Sequence, residues 1–254
     1  MIRIKNQEEI EILRENALLV SRTLAEVGKH IAPGVVTMEL DKIAETFIRD
    51  NGAQPGFLGY GGFPYSLCLS VNDVVVHGFP SDYRLKEGDI ISVDCGTLYK
   101  GYYGDSAYTF PVGEVSPEVS QLLKVTKESL YRGIEKAVAG NRIGDIGYAI
   151  QSYTEGFGYS VVREMVGHGI GRDMHEHPED PNYGKPGCGK NLIPGMTICI
   201  EPMINLGARQ IYLHDNGWAV STIDKAPSAH YELTVAITKE KADVLSTFKF
   251  IEEK

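Results

Sequence analysis

The sequence predicts an α+β chain built from two related halves, each placing helices ahead of strands and both feeding one sheet. Three observations carry this. Leu85-Lys-Glu-Gly88-Asp-Ile-Ile-Ser-Val-Asp94 overlays Leu192-Ile-Pro-Gly195-Met-Thr-Ile-Cys-Ile-Glu201 at an offset of 107, matching the leucine, the glycine and the terminal acid. Gly34, Leu40, Ile43, Phe47 and Gly52 fall over Gly140, Ile146, Ala149, Tyr153 and Gly158 at an offset of 106. In each half, runs with helical periodicity precede β-branched runs, the pattern of helices layered on a sheet. A repeat longer than about 50 residues is no solenoid unit; a single duplication reads as two halves meeting at a shared interface. The divide falls near Gly113 to Pro117, giving halves 1–115 and 116–254 of a single domain.

Asn6 with Glu9 reads as a capping pair, and Ile10, Leu13, Ala17, Leu18, Leu24, Val27 and Ile31 then recur near helical spacing until Pro33-Gly34 stops them. A second helix fits Thr37 to Asp50, ended by Asn51-Gly52. Gly56 to Pro64 is a loop rich in glycine and aromatics. Tyr65 to Val76 and Asp89 to Asp94 read as strands. In the second half, Val119 to Ala139 and Ile143 to Gly156 read as helices, and Val161 to Met165, Met196 to Glu201 and Tyr231 to Thr238 as strands. Asn216-Gly217 is a hairpin-turn signal between Ile211-Tyr-Leu213 and Trp218-Ala-Val220.

Composition narrows the class. Hydrophobic residues make up 43% and charged residues 23% of 254, an ordinary globular balance. A net charge of −9 leaves no basic excess for phosphate contacts, so nucleic-acid binding is not expected. No apolar run reaches the roughly 20 residues that cross a bilayer, and Glu8 and Glu9 stand where a secretory leader would be apolar. Cys68, Cys95, Cys188 and Cys199 form no C-x-x-C pair; the reading is a reduced, cytoplasmic monomer.

The chemistry gathers at strand-end acids. Asp94 and Asp105 flank Leu98-Tyr99-Lys100-Gly101. A hairpin centred on Tyr99-Lys100 would set them directly opposite, with Cβ atoms about 4.5–5.5 Å apart. Like charges there repel unless a cation intervenes; on spacing alone, two solvated acids fit equally well. Glu201 and Glu232 repeat the arrangement around Asn216-Gly217. Either one long register, interrupted by Pro202 and Gly207, or a local hairpin between two neighbouring strands brings those acids together. His168, in Gly167-His168-Gly169-Ile170-Gly171, is the nitrogen candidate; His175 follows seven residues later, and His77 sits in a similar context in the first half. Four carboxylates and an imidazole, without thiolates, suit two hard or borderline divalent ions such as Fe²⁺, Mn²⁺ or Co²⁺, with Zn²⁺ a further candidate. Two such ions about 3.5–4 Å apart make hydroxide available near pH 7, the requirement of a hydrolase.

The ordered set Asp94, Asp105, His168, Glu201 and Glu232 resembles the ligand set of the pita-bread metallopeptidases. The strings SVDCG, GYYGDSA, GHGIGRDMHEHP, IEPM and HYELTV are similar to those of the type I methionine aminopeptidases. The resemblance implies the pita-bread fold: two pseudo-twofold-related α/β halves sharing a curved, mainly antiparallel sheet with helices outside. It implies removal of initiator methionine from nascent polypeptides when the second residue is small, with transient ribosome association. By position, Asp94 would chelate one ion, Asp105 and Glu232 would bridge two, and His168 and Glu201 would complete the other. Glu201 would relay a proton, His77 and His175 would contact substrate, and Tyr60, Phe63, Cys68 and Trp218 would form the methionine pocket. A monovalent cation near Asn72, Val74 and Ser228 is also implied. Met174, Phe57 and Phe63 depart from the common bacterial pattern, which bears on pocket shape and not on the ligands.

Overall fold

The computed structural model describes residues 2–253. Helix α1 (Gln7–Gly28) opens as its sequence requires: the Asn6 side chain accepts the Glu9 N–H at 2.9 Å while the Glu9 carboxylate accepts the Asn6 N–H at 3.0 Å. The buried stripe of α1, including Leu13, Ala17, Leu24 and Val27, faces the sheet. Asn16 interrupts it, wholly buried, and donates to the carbonyls of Tyr102 and Thr97. Gly104 permits that approach, because a Cβ there would lie 3.0–3.2 Å from Asn16 and Ala17 atoms. Helix α2 (Thr37–Asp50) has the predicted bounds. Helix α3 (Pro117–Ile134) begins two residues earlier than predicted, capped by Ser116 with proline at its first turn, and ends five residues earlier. Its predicted last turn is taken by the sheet instead: Ala139 N–H donates to Thr238 O at 2.9 Å. Helix α4 (Ile143–Glu155) follows.

The duplication is visible in the backbone. Gly34 and Gly140 have φ of 91° and 96°, Gly52 and Gly158 78° and 82°, and Gly88 and Gly195 87° and 86°. Helices α2 and α4 occupy equivalent positions between the first two pairs.

The strand predictions change in several places: Asp89 to Asp94 extends, as Ile90–Tyr99, Tyr231 to Thr238 shortens to Leu233–Ala236, and two others change more deeply. Tyr65 to Val76 is not one strand: it runs as Leu67–Val71, turns at Asn72-Asp73 with Asn72 at φ 52°, and returns as Val74–Val76. The Asn72 side chain drives the turn, donating to Asp89 and accepting from Ile90 N–H. Val161 to Met165 keeps only Ser160–Val161 as strand. The Glu164 carboxylate accepts the Arg163 N–H and a bond from Arg209, bending the chain out of line.

In the first half, Ile90–Tyr99 is the central strand, flanked antiparallel by Leu67–Val71 and Tyr102–Pro111. In the second, a five-stranded sheet runs Asp243–Val244, Leu233–Ala236, Thr197–Ile200, Gly167–Gly169, Glu176–Asp180. The halves join where Ala107 bridges Glu232. Side chains rivet the seam: Ser106 Oγ donates to Glu232 O, Thr234 Oγ1 to Asp105 O, and Tyr231 OH to Thr109 O. The largest apolar cluster draws on both halves, from Leu24, Leu40 and Ile91 to Ile146, Ile198 and Val235. The architecture is the expected mixed helix and antiparallel-sheet arrangement, with the strands divided among four hydrogen-bonded sheets where one continuous sheet was expected.

Candidate metal centre and substrate cavity

The acids reach one place by strand register. In the first hairpin Asp94 faces Ala107 and Asp105 faces Gly96, so the two acids are diagonal neighbours and not directly opposed as expected. The turn residues are Lys100-Gly101, with φ of 51° and 76°, one residue later than the symmetric centre assumed. Both central residues therefore adopt the positive φ that a two-residue turn of matching twist needs. A shift of two in register preserves the alternation, and both carboxylates still project from one face. In the second half the long register holds. Ile200 pairs with Leu233, Met203 with His230 and Leu213 with Val220, all in the frame set by Asn216-Gly217. Glu201 and Glu232 are adjacent to the first of these pairs, across a break at Pro202.

Ligand atoms of Asp105, His168, Cys199 and Glu232 lie within 4.8 Å of one another, all four residues buried. His168 Nδ1 donates to Gly169 O at 3.0 Å, which leaves Nε2 as an acceptor. That nitrogen is 3.8 Å from Asp105 Oδ2 and 3.6 Å from Glu201 Oε1. Asp94 Oδ1, Asp105 Oδ1 and Glu232 Oε1 are buried without a hydrogen-bond partner. Burial raises the Asp94 carboxyl to about 6. Burial, then mutual repulsion, pushes Asp105, Glu201 and Glu232 well above the usual carboxylate range. Burial draws His168 down to about 3 and His77 to about 4, and lowers His175 as well. Orphaned carboxylate oxygens beside a neutral imidazole with a free lone pair are a donor set for divalent cations. The residues present fit such ions.

Above the acids lies a cavity of about 270 Å³ whose lining includes Tyr60, Phe63, Cys68, His77, His175 and Trp218 together with Asp94, Asp105, His168, Glu201 and Glu232. Phe63 and Trp218 meet edge to face at 5.1 Å. Cys68 is placed by pairing with Asp94. His175 Nδ1 is 2.8 Å from the Tyr60 hydroxyl, and its ring is 4.3 Å from that of His168. His77 takes a positive φ of 56° at the end of its strand, with Trp218 6.3 Å away. Phe57 and Met174 both pack on Gly96, where a Cβ would collide with Phe57. Asn72, Val74 and Ser228 sit apart from the cavity but near one another: Ser228 N–H donates to Asn72 O at 2.9 Å, and Val74 lies on the strand that contacts the Ser228 strand.

Sequence reasoning overlooked His230, which also lines the cavity, and the Cys199 thiol in the acid cluster. Strand alternation was the available signal: His230 precedes Glu232 by two, and Cys199 precedes Glu201 by two.

A family model for metallopeptidase family M24 matches residues 11–239. The chain belongs to that family. It is 53% identical over 247 residues to a protein of Clostridium acetobutylicum named methionine aminopeptidase, an alignment spanning 97% of this chain and 99% of the relative. The crystal structure of methionine aminopeptidase from Rickettsia prowazekii superposes with a TM-score of 0.96 at 41% identity, covering 97% of this chain and 100% of the other. Prolidase from Pyrococcus furiosus shares the fold more distantly, with a TM-score of 0.77 and 26% identity, and this chain covers 65% of it. As a member of family M24 the chain is a metal-dependent peptidase of the pita-bread fold. No helix among the described residues is long and apolar enough to cross a membrane.

Proposed function

We propose that the chain is an aminopeptidase that removes an N-terminal methionine from newly made polypeptides when the second residue is small. The observation that carries this is the buried convergence of Asp105, His168 and Glu232 beside Asp94 and Glu201, beneath a cavity walled by aromatics and sulfur. In the proposed assignment Asp94, Asp105, His168, Glu201 and Glu232 would hold two divalent ions, Fe²⁺, Mn²⁺ or Co²⁺ foremost, Asp105 and Glu232 serving both. When bound, such ions supply an activated nucleophile and polarise the carbonyl under attack.

The chain's own residues do the rest. Tyr60, Phe63, Cys68 and Trp218 enclose the methionine side chain, where sulfur–aromatic contacts contribute about 0.3–1.5 kcal/mol each. The Tyr60 phenol is raised by burial and stays protonated. Donating to His175 Nδ1, it holds the tautomer with hydrogen on Nε2, which is then a donor for the oxyanion that develops on the first peptide carbonyl. His77 is neutral near pH 7 and orients the substrate. Glu201 accepts the proton from the attacking water and passes it to the departing amine.

The substrate is a nascent chain, met in the cytoplasm by a monomer that touches the ribosome transiently. A monovalent cation at Asn72, Val74 and Ser228 would brace the turn that precedes His77. The test is metal-loaded protein with a Met-Ala-Ser peptide, varying one metal at a time. Release of free methionine supports the reading; activity confined to X-Pro peptides overturns it.

A further inference from the structure

His230 lines the cavity beside the acid cluster but stands outside the proposed ligand set. It is 2% exposed, and its Nε2 has no hydrogen-bond partner. That nitrogen is 3.7 Å from Glu201 Oε2, while His168 Nε2 stands 3.6 Å from Glu201 Oε1. The Glu201 carboxylate is therefore bracketed by two imidazoles from strands on either side of it. Only His168 belongs to the ligand set assigned above.

The backbone under His230 is held unusually firmly. Thr109 Oγ1 donates to His230 O at 2.7 Å and accepts the His230 N–H at 2.9 Å, and Ser92 Oγ packs on the same hydroxyl at 2.8 Å. Pairing of Met203 with His230 adds a second constraint from the strand that follows Glu201. The backbone beneath the ring is fixed by these bonds, and burial leaves the ring itself little room to move.

We propose that His230 is a positioning residue for Glu201. Its Nε2–H donates to Glu201 Oε2 and fixes the rotation of the carboxylate, so that Oε1 stays turned toward His168 and the acid cluster. Closing 3.7 Å to a hydrogen bond needs a shift of well under 1 Å, within the tightening seen when catalytic groups engage their partners. No other donor among the described residues bonds Oε2, so His230 Nε2, at 3.7 Å, is the group placed to do so. The inference deepens the peptidase reading and rests on Glu201 being a ligand and proton relay.

The test compares His230→Leu and His230→Gln with the unaltered protein. Mn²⁺ titration by calorimetry, without substrate, is read beside kcat and KM on the Met-Ala-Ser peptide, and a thermal melt checks folding. His230→Leu should weaken the binding of one Mn²⁺ about 10–100-fold and lower kcat by a similar factor. KM should stay within about threefold, as expected when an interaction matters mainly to the transition state. His230→Gln keeps an amide donor and should stay within about threefold of the unaltered protein in both readouts. Undiminished Mn²⁺ affinity and kcat in His230→Leu overturn the proposal. So does equal impairment of both variants, which would make the ring's bulk, and not its N–H, the requirement. If the unaltered protein releases no methionine, the functional reading fails, and the Mn²⁺ titrations still decide the role of His230.

Discussion

Burial, and then repulsion from Glu232, Asp94 and Glu201 in that order, raises Asp105 well above the usual carboxylate range. Asp105→Ala should therefore have two opposite effects. Peptide cleavage should fall by about 10²–10³-fold, the scale of losing a transition-state charge stabiliser, and a metal titration should show one ion lost. The metal-free variant should nevertheless melt above the metal-free parent at pH 8, because a buried like charge is gone. A lower melting temperature there would mean that Asp105 is held by compensating groups. His175→Ala should reduce kcat more than it raises KM, since its donor acts on charge that appears in the transition state. Unchanged kcat would remove His175 from that role. At this scale the five proposed ligands were legible because two pairs of strand-end acids recur at related positions in both halves, although each acid alone reads as an ordinary surface residue. His230 was not, because a lone histidine on a buried strand is ordinary until its neighbour Glu201 is seen.

Elements show how one duplicated pattern acquires different costs. Gly88 and Gly195 are repeat partners with φ of 87° and 86°, a region where a Cβ costs roughly 1–2 kcal/mol. Around Gly88 the space is open, the nearest atom being Glu114 O at 3.8 Å, whereas a Cβ at Gly195 would lie 2.7 Å from both Ile4 Cγ2 and Lys5 O. Gly88→Ala should cost about 1–2 kcal/mol and Gly195→Ala about 1–3 kcal/mol more, the usual penalty of overpacking. Urea midpoints of the two variants, which should differ in that order, check this; equal midpoints would show that the N-terminal segment yields freely. Helices α1, α2 and α4 were legible to within a few residues, because caps and glycine stops are local chemistry. The hairpin at Asn72 was not. Its turn depends on the Asn72 amide finding Asp89, seventeen residues away, and β-branched residues on both sides read as one continuous strand.

For the whole molecule, the seam between the halves is where buried like charges crowd together and where the proposed site lies. Asp94, Asp105, Glu201 and Glu232 all titrate above their ordinary values when no cation is present. A raised folded pKa means that the folded state binds more protons than the unfolded chain, so stability is lost as pH rises through the folded value. Asp94, at about 6, therefore loses its contribution between the ordinary carboxylate range and neutrality. His168 and His77, drawn down to about 3 and 4, work the other way, costing stability as pH falls below the ordinary 6.5. EDTA-treated protein should accordingly lose melting temperature between pH 6.5 and 8, and added Mn²⁺ should restore more at pH 8 than at pH 6.5. A flat profile without metal would show that the acids are already paired. The sequence by itself determined the repeat pattern, the main helices and which side chains are proposed for the chemistry, because periodicity, caps and paired acids are written in local order. Only the tertiary structure decided the register that sets Asp94 diagonal to Asp105, the bridge joining Ala107 to Glu232, and the place of His230 against Glu201. Those relations arise between strands far apart in the chain, where packing and shared hydrogen bonds choose among pairings that local pattern leaves equivalent.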